Sequence, residues 1–225
     1  MCRRHTCAEN IQPCRMRSER ISTVPLAFRI TNAAATVTIG SCALRSAPAA
    51  IHRIDEGDRP LPDNGTPRLP VVAVLDRLRS AYNVGNIFRL AEALRLERIV
   101  TTGYTASPPH PKLVKTARGC DLLVPFTHTA TAAAVLTELQ DQSYTLYAVE
   151  TVSGARPPWE IQFQFPAAFV FGNEALGISP EALQLCREAV RLPCAGMKNS
   201  INVANCAAVI LYEAQRQWHE QQRRS

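Results

Sequence analysis

The sequence of 225 residues lacks the glycine patterns with which most α/β proteins hold a nucleotide. Its ten glycines never form Gly-x-Gly, and no Gly-x-x-x-x-Gly-Lys-[Ser/Thr] occurs. This excludes the usual dinucleotide-binding turn and the P-loop. The Gly-x-Ser-x-Gly elbow of α/β hydrolases is absent as well. Any nucleotide-like ligand must therefore be held by loops of another kind.

Long apolar runs and paired cysteines are also missing. The longest apolar candidate, near Ala207–Leu211, falls far short of the roughly 20 residues that a membrane-spanning helix needs. None of the eight cysteines forms a Cys-x-x-Cys pair, and Cys2, His5 and Cys7 have no second ligand pair at zinc-site spacing. We expect no membrane segment, no metal, no disulfide, and free thiols in a reducing compartment, the cytoplasm.

Lysine is scarce, and the positive charge is unevenly placed. The chain has three Lys, 22 Arg and a net charge of +6. Residues 1–68 carry ten Arg against six acidic residues, whereas residues 69–225 carry 15 basic against 13 acidic residues. Residues 69–225 are therefore only mildly basic. Binding of a polyanion there must depend on individually placed side chains and not on bulk charge.

From Leu69 onward, short apolar runs alternate with segments of helical periodicity. Most of the runs are continuously apolar, as in a parallel sheet that is covered on both faces. The alternation predicts an α/β domain with a mostly parallel sheet and helices on both faces. Strands are predicted at Val71–Leu75, Arg98–Thr102, Leu122–Phe126, Thr145–Val149, Ala167–Phe171 and Ala189–Leu192, and helices at 84–95, 111–117, 129–140, 180–187 and 200–221.

The segment after the first predicted strand is the first functional candidate. It reads Asn83-Val-Gly-Asn-Ile-Phe-Arg89 and begins a helix. A helix N-terminus at the carboxyl end of a strand offers free N–H groups to an anion such as phosphate, and Arg89 lies one turn further along. Asn83 also has a purely structural interpretation, as a helix cap.

Two later loops carry the remaining candidates. Glu174 stands between Gly172 and Gly177, directly after a predicted strand, where glycines allow close approach of the backbone. Ser200 and Asn202 begin the last predicted helix. A flexible turn, a cap and an ordinary surface amide are the structural alternatives for these positions.

Together the three segments resemble motifs 1, 2 and 3 of the SpoU/TrmH-type RNA ribose 2′-O-methyltransferases, in the SPOUT superfamily. The patterns are N-x-G-N-x-x-R at Asn83–Arg89, F-G-N-E-x-x-G at Phe171–Gly177 and I/L-P-x-x-G-x-x-S-[LI]-N-V at Leu192–Val203. Ile201 stands where leucine is usual. The resemblance covers roughly residues 70–217, and three motifs in this order are strongly specific.

The resemblance implies a fold and a cofactor. The C-terminal part of such a sheet forms a deep trefoil knot, here roughly residues 147–215. The knot loops hold S-adenosylmethionine (AdoMet), and two copies form a homodimer with the active site at their interface. No metal takes part. The matching cofactor-binding positions are Val149, Gly172, Leu192, Met197, Ser200 and Ile201.

The implied activity is transfer of a methyl group to a ribose 2′-hydroxyl of tRNA or rRNA. The implied catalytic set is Arg89, Asn83, Glu174, Ser200 and Asn202. Because a guanidinium is very hard to deprotonate, we interpret Arg89 as a phosphate clamp that stabilises the developing alkoxide, and the general base stays open. The alternative is a non-catalytic RNA-binding protein that retains the SPOUT fold, although Arg89 and Asn202 are both present.

Residues 1–68 differ in composition from the methyltransferase domain that we predict at residues 69–225. They are rich in Arg, Ser, Thr and Ala and end in a Pro/Gly/Asp-rich linker from Arg59 to Pro70. Three interpretations stay open: a poorly ordered extension, with Met16 as an internal alternative start, an organelle transit peptide, or a basic arm that helps to hold RNA. No apolar core follows the first arginines, so a secretory signal is excluded.

Overall fold

The computed structural model describes residues 67–224, so the predicted extension up to residue 66 lies outside the described residues. Six strands form one sheet: β1 Leu69–Asp76, β2 Leu96–Thr102, β3 Phe126–Thr129, β4 Thr145–Val149, β5 Ala167–Phe171 and β6 Glu188–Val190. They lie in the order β3-β2-β1-β5-β4-β6, and every neighbouring pair is parallel. The prediction of a parallel-sheet α/β fold is confirmed.

Helices cover both faces of this sheet. Among the described residues they are α1 Ala81–Ala93, α2 Pro111–Ala117, α3 Ala132–Asp141, α4 Pro180–Leu185 and α5 Val203–Arg224. Alternate residues of β1 face opposite ways: Val71, Ala73 and Leu75 pack with α1 and α5, whereas Val72 and Val74 pack with α3 and α4. A fully buried Val or Leu side chain contributes about 1.5–3 kcal/mol, so burial on both faces strongly favours β1 as a central strand.

The third strand differs from its prediction at 122–126. Residues Cys120–Leu122 form a short 3₁₀ turn, and β3 begins only at Phe126. Leu122 is 85% exposed and Leu123 is 52% exposed, so these two residues lie on a turn surface and not in a buried strand. Because β3 is an edge strand whose residues are mostly exposed, it has no apolar pattern that periodicity can detect.

Helices α1 and α5 begin at other residues than those predicted. The N-cap of α1 is Ser80, whose Oγ accepts the backbone N–H of Asn83 at 3.3 Å. At the start of α5, Asn202 Oδ1 accepts the backbone N–H groups of Ala204 and Asn205 at 2.9 and 3.3 Å. Asn83 and Ser200 therefore do not serve as the caps that the structural alternative assigns to them.

Helix α2 packs closely against α1 at Gly85. A Cβ atom at this position would lie 2.7 Å from the carbonyl oxygen of Leu113 and 2.8 Å from Thr116 Cβ. The glycine of the first motif thus serves helix packing, and it brings α2 against the helix that carries Arg89. Within residues 67–224, no helix is long and apolar enough to cross a membrane.

Candidate active site

A cavity of about 380 Å³ opens at the carboxyl ends of β4, β5 and β6. Ligands of parallel α/β sheets bind at this edge, and the volume falls in the range of roughly 300–1,000 Å³ that is usual for small-molecule sites. Its walls are Val149, Glu150, Thr151, Gly172, Asn173, Glu174, Ala175, Gly177, Val190, Arg191, Leu192, Asn199, Ser200, Ile201, Asn202, Val203 and Cys206.

Two glycines allow the chain to approach itself closely in the cavity wall. A Cβ atom at Gly172 would lie 2.3 Å from the backbone nitrogen of Ile178 and 2.4 Å from the carbonyl carbon of Gly177. Gly177 has a φ of +69°, and a Cβ atom there would lie 2.6 Å from Glu150 Oε2. Any larger residue at either position would have to displace backbone or a bonded carboxylate.

Glu150 connects the ends of three strands at this cavity. Its Oε2 accepts the backbone N–H of Ile178 at 3.0 Å, and its Oε1 accepts that of Thr151 at 2.9 Å. Its own backbone N–H donates to the carbonyl oxygen of Val190 at 3.0 Å. Each carboxylate oxygen has a further lone pair, so Glu150 can also accept a donor from a ligand in the cavity.

Asn83, Glu174 and Asn202 form a hydrogen-bonded series beside the cavity, which we call the Asn–Glu–Asn chain. Asn83 Nδ2 donates to Glu174 Oε1 at 2.8 Å, and Asn202 Nδ2 donates to Asn83 Oδ1 at 3.1 Å. The bonded pairs are 91 and 119 positions apart in the sequence. Three predicted site residues, one from each motif, are thus in direct contact.

Hydrogen bonds lower the pKa of the Glu174 carboxylate. Its Oε2 accepts the backbone N–H of Arg79 at 3.0 Å, in addition to the bond from Asn83. Desolvation is the largest single influence and raises the pKa, but hydrogen bonds from the backbone of Arg79, Glu174 itself and Ser80 and from the side chain of Asn83 together outweigh it. The pKa of Glu174 is therefore lower than its ordinary value of 4.5, and the group is an acceptor at neutral pH.

Asn173 fixes the loop that carries Glu174. Its buried Nδ2 donates to the carbonyl oxygen of Arg77 and to the hydroxyl of Tyr104, both at 2.7 Å. Its Oδ1 accepts the backbone N–H groups of Ala175 and Leu176 at 2.8 and 2.9 Å. All four hydrogen-bonding positions of the amide are used, so the loops after β1, β2 and β5 are held together.

The structure brings most of the predicted cofactor positions to one place. Five of the six line the cavity: Val149, Gly172, Leu192, Ser200 and Ile201. Met197 is fully exposed and does not line it. Glu174 and Asn202 also line the cavity, whereas Asn83 reaches it only through them. Arg89 is exposed on α1 and lies outside the cavity wall of its own chain.

Sequence reasoning missed Glu150 and Asn173. Glu150 follows β4 directly, so the rule that singled out Glu174 as a carboxylate after a buried strand applies to it equally. Asn173 lies inside the second motif, yet only its contacts with Arg77 and Tyr104 show what its side chain does. Each of them also bonds to a group far along the chain, Ile178 for Glu150 and Arg77 and Tyr104 for Asn173, and no local pattern reveals those partners.

The comparison with protein families agrees with the motifs. A model described as the SpoU rRNA Methylase family matches residues 70–212. The chain belongs to this family. The matched range begins in β1 and ends in α5. It therefore contains the sheet, the cavity and the Asn–Glu–Asn chain.

Individual SpoU relatives are similar over the same region. An uncharacterized tRNA/rRNA methyltransferase of Synechocystis is 35% identical over 64% of this chain and 52% of its own length. The 23S rRNA (uridine(2479)-2'-O)-methyltransferase of Streptomyces viridochromogenes is 31% identical over 70% of this chain and 58% of its own length. The chain thus spans little more than half the length of these relatives.

A solved SpoU structure has the same fold. The SpoU methyltransferase AviRb from Streptomyces viridochromogenes, in complex with AdoMet, is 28% identical with a TM-score of 0.63. The similarity covers 69% of this chain and 63% of that one. This chain therefore shares its fold with a relative whose structure contains AdoMet.

Proposed function

We propose that this chain is an AdoMet-dependent methyltransferase that modifies a ribose 2′-hydroxyl of tRNA or rRNA. The observation that carries the proposal is the Asn–Glu–Asn chain at the wall of the 380 Å³ cavity, where residues from all three motifs meet. Family membership, the names of the relatives and the AdoMet complex of AviRb support it.

The cavity suits AdoMet in volume and in charge. Val149, Leu192 and Ile201 offer apolar contacts for a purine ring, and the carboxylates of Glu150 and Glu174 lie where a positive ligand gains from them. When bound, AdoMet supplies a methyl group that is activated on a sulfonium.

The protein's own residues prepare the ribose hydroxyl. The Asn–Glu–Asn chain fixes the amides of Asn83 and Asn202, which orient the ribose. Arg89 binds the phosphate next to the target nucleotide and stabilises the negative charge that develops as the hydroxyl loses its proton. Ser200, at the cavity wall, completes the polar contacts of the ribose.

We further propose a homodimer with a composite active site. Arg89 lies outside the cavity of its own chain, so a second copy that presents its α1 would bring an arginine to it. Exposed apolar side chains on neighbouring helices support such an interface: Tyr82 on α1, and Val209 and Tyr212 on α5. Mixed dimers of Arg89→Ala and Asn202→Ala chains should then recover part of the activity, whereas inactive mixtures with confirmed heterodimers would contradict a composite site.

We also propose that the chain forms a trefoil knot within roughly residues 147–215. In this range the ends of β4, β5 and β6 meet at Glu150, and Gly172 touches the backbone of Ile178. A crystal structure with a continuous trace from β4 to α5 tests it. A chain that lies on the sheet without passing through the loop between β4 and β5 would refute it.

Calorimetry and a methyl-transfer assay test the function. The wild-type protein should bind AdoMet in the absence of RNA and methylate ribose in cellular tRNA or rRNA. Arg89→Ala should keep AdoMet affinity within about threefold but lower transfer at least about 100-fold, as the loss of a group that stabilises transition-state charge does. Arg223→Ala, at the exposed far end of α5, is the matched control and should change neither.

The two readouts separate the possible failures. Absence of AdoMet binding by the wild-type protein would refute the enzyme and favour the non-catalytic RNA-binding alternative. Loss of AdoMet binding in Arg89→Ala would show instead that Arg89 supports the cofactor and that its assigned role is wrong.

A further inference from the structure

Tyr104 carries an open aromatic ring at the edge of the proposed active site. It lies in the loop after β2 and is 60% exposed, yet its hydroxyl accepts Asn173 Nδ2 at 2.7 Å. Asn173 is 4% exposed and immediately precedes Glu174 of the Asn–Glu–Asn chain. The bond therefore holds the Tyr104 ring next to the Asn–Glu–Asn chain, while much of the ring surface stays accessible.

The loop that carries Tyr104 is bonded to the loop after β1. The hydroxyl of Thr105, which is buried, donates to the carbonyl oxygen of Leu75 at 3.1 Å and accepts the backbone N–H of Leu78 at 2.9 Å. Gly103 has a φ of +59°, which aims the next residue out of the strand direction. An aromatic side chain on so constrained a loop loses little conformational entropy when a ligand covers it.

Basic side chains follow Tyr104 in the sequence, on the next helix. No Asp or Glu occurs from Arg98 to Cys120, whereas Lys112 and Lys115 are exposed on α2 and Arg118 is exposed at its C-cap. Helix α2 packs on α1, the helix of Arg89. Single-stranded RNA is bound by exposed cations, which contact its phosphates, together with open aromatic rings, on which its unpaired bases stack.

We propose that Tyr104 is the surface on which an unpaired base of the RNA, next to the methylated nucleotide, stacks. The inference rests on the proposed function, since it places the base relative to Asn83, Glu174 and Asn202. The Tyr104 oxygen accepts its bond from Asn173, so its own O–H remains able to donate to the RNA. The sequence of the RNA is not read by a stacked ring, because every base has an aromatic face.

Two variants separate the ring from the hydroxyl, and a third serves as a matched control. Tyr104→Ala removes both groups, and Tyr104→Phe keeps the ring. Trp159→Ala removes a ring that is also 60% exposed but lines a separate groove with Gln217, about 20 Å along α5 from the cavity. The probe is a short single-stranded RNA that contains 2-aminopurine, whose fluorescence is quenched by stacking. Calorimetry measures AdoMet affinity in parallel.

We expect Tyr104→Ala to weaken RNA binding about 5- to 150-fold, the loss that removal of one base–aromatic stack causes. The quenching of 2-aminopurine should disappear with it. Tyr104→Phe should stay within about threefold of the wild type and keep the quenching, and Trp159→Ala should match the wild type. AdoMet affinity should be the same in all four proteins.

Several results would overturn the stacking role. RNA affinity and quenching that are unchanged in Tyr104→Ala would exclude it, and equal losses in Tyr104→Phe and Tyr104→Ala would assign the effect to the hydroxyl. A loss of AdoMet binding in Tyr104→Ala would show that Tyr104 only supports Asn173. If the wild-type protein binds RNA but not AdoMet, the proposed function fails, and the RNA affinities and quenching still decide the role of Tyr104.

Discussion

The close approach at Gly172 makes the substitution Gly172→Ala the sharpest test of the cavity. The added Cβ atom would lie 2.3 Å from Ile178 N, 2.4 Å from the carbonyl carbon of Gly177 and 2.8 Å from Ile178 Cγ1. Two of these atoms belong to the backbone, and that backbone is held by the bond from Ile178 to Glu150 and by the paired bonds between Asn173 and Gly177. The clash cannot be relieved by turning a flexible side chain.

The expected cost follows from these contacts. Overpacking of a core usually costs about 1–3 kcal/mol, and three contacts below 3.0 Å with a fixed backbone place this case near about 3 kcal/mol. For a protein of this size, 1 kcal/mol lowers the melting temperature by about 2–4 °C, so we expect a decrease of about 6–12 °C. Urea unfolding and thermal unfolding, both followed by circular dichroism, measure it.

The same substitution should weaken the cofactor site. Relief of the clash moves Ile178 away from Glu150, and a lost hydrogen bond to a charged group costs about 1.5–3 kcal/mol. Part of this cost falls on AdoMet binding if Glu150 shapes the cavity, and calorimetry should then show affinity reduced about tenfold or more.

Gly196→Ala is the matched control for this experiment. Gly196 lies in the loop after β6, and a Cβ atom there would meet nothing within 4 Å. Alanine at an unstrained position slightly stiffens the unfolded chain, so stability should not fall. If Gly172→Ala unfolds like Gly196→Ala and binds AdoMet equally well, the inferred tight packing of the loop after β5 at Gly172 is wrong.

Two further predictions concern stability. Glu174→Gln should destabilise the protein at neutral pH, because one amide oxygen cannot replace two carboxylate oxygens as acceptor from Arg79 and Asn83. Since the folded pKa of Glu174 is lowered, the carboxylate's contribution is complete above its unfolded-state pKa and is lost as the pH falls through the folded value. Urea unfolding should show a difference at about pH 7 that shrinks at about pH 3, and a difference that persists would contradict this. Gln217→Ala should cost about 1–3 kcal/mol because the buried Phe163 N–H and Ile161 carbonyl lose their partner, with exposed Gln184→Ala as control; equal urea midpoints would contradict it.

Burial decides which elements the sequence predicts. The core of β1 and all of β4 and β5 are covered on one or both faces, so their continuous apolar runs were placed to within a few residues. Edge strand β3 has exposed residues and was misplaced onto Leu122 and Leu123, whose apolar side chains lie on a turn surface. Apolar composition predicts a strand only where a neighbouring layer covers it.

The candidate site divides in a similar way. The motifs predicted Glu174 and Asn202 as site residues, and both line the cavity, while their catalytic roles stay a prediction. The sequence did not show that two motif glycines have different roles. Gly85 allows α2 to pack on α1, whereas Gly172 allows the cavity wall to pack closely. Their roles depend on which backbone atoms approach them from remote parts of the chain, such as Ile178, and that is a property of the fold.

Asn202 shows why the third motif requires this residue type. Its Oδ1 accepts the N–H groups of Ala204 and Asn205 and so caps α5, while its Nδ2 donates to Asn83. Serine, threonine and aspartate can supply a capping acceptor, but none of them has an amide that donates in the opposite direction. The amide thus couples the start of α5 at the cavity to Asn83 on α1, the helix of Arg89. Because Asn83 in turn donates to Glu174, the order of the series fixes each member's donor and acceptor atoms, and one residue of each motif is tied to the next.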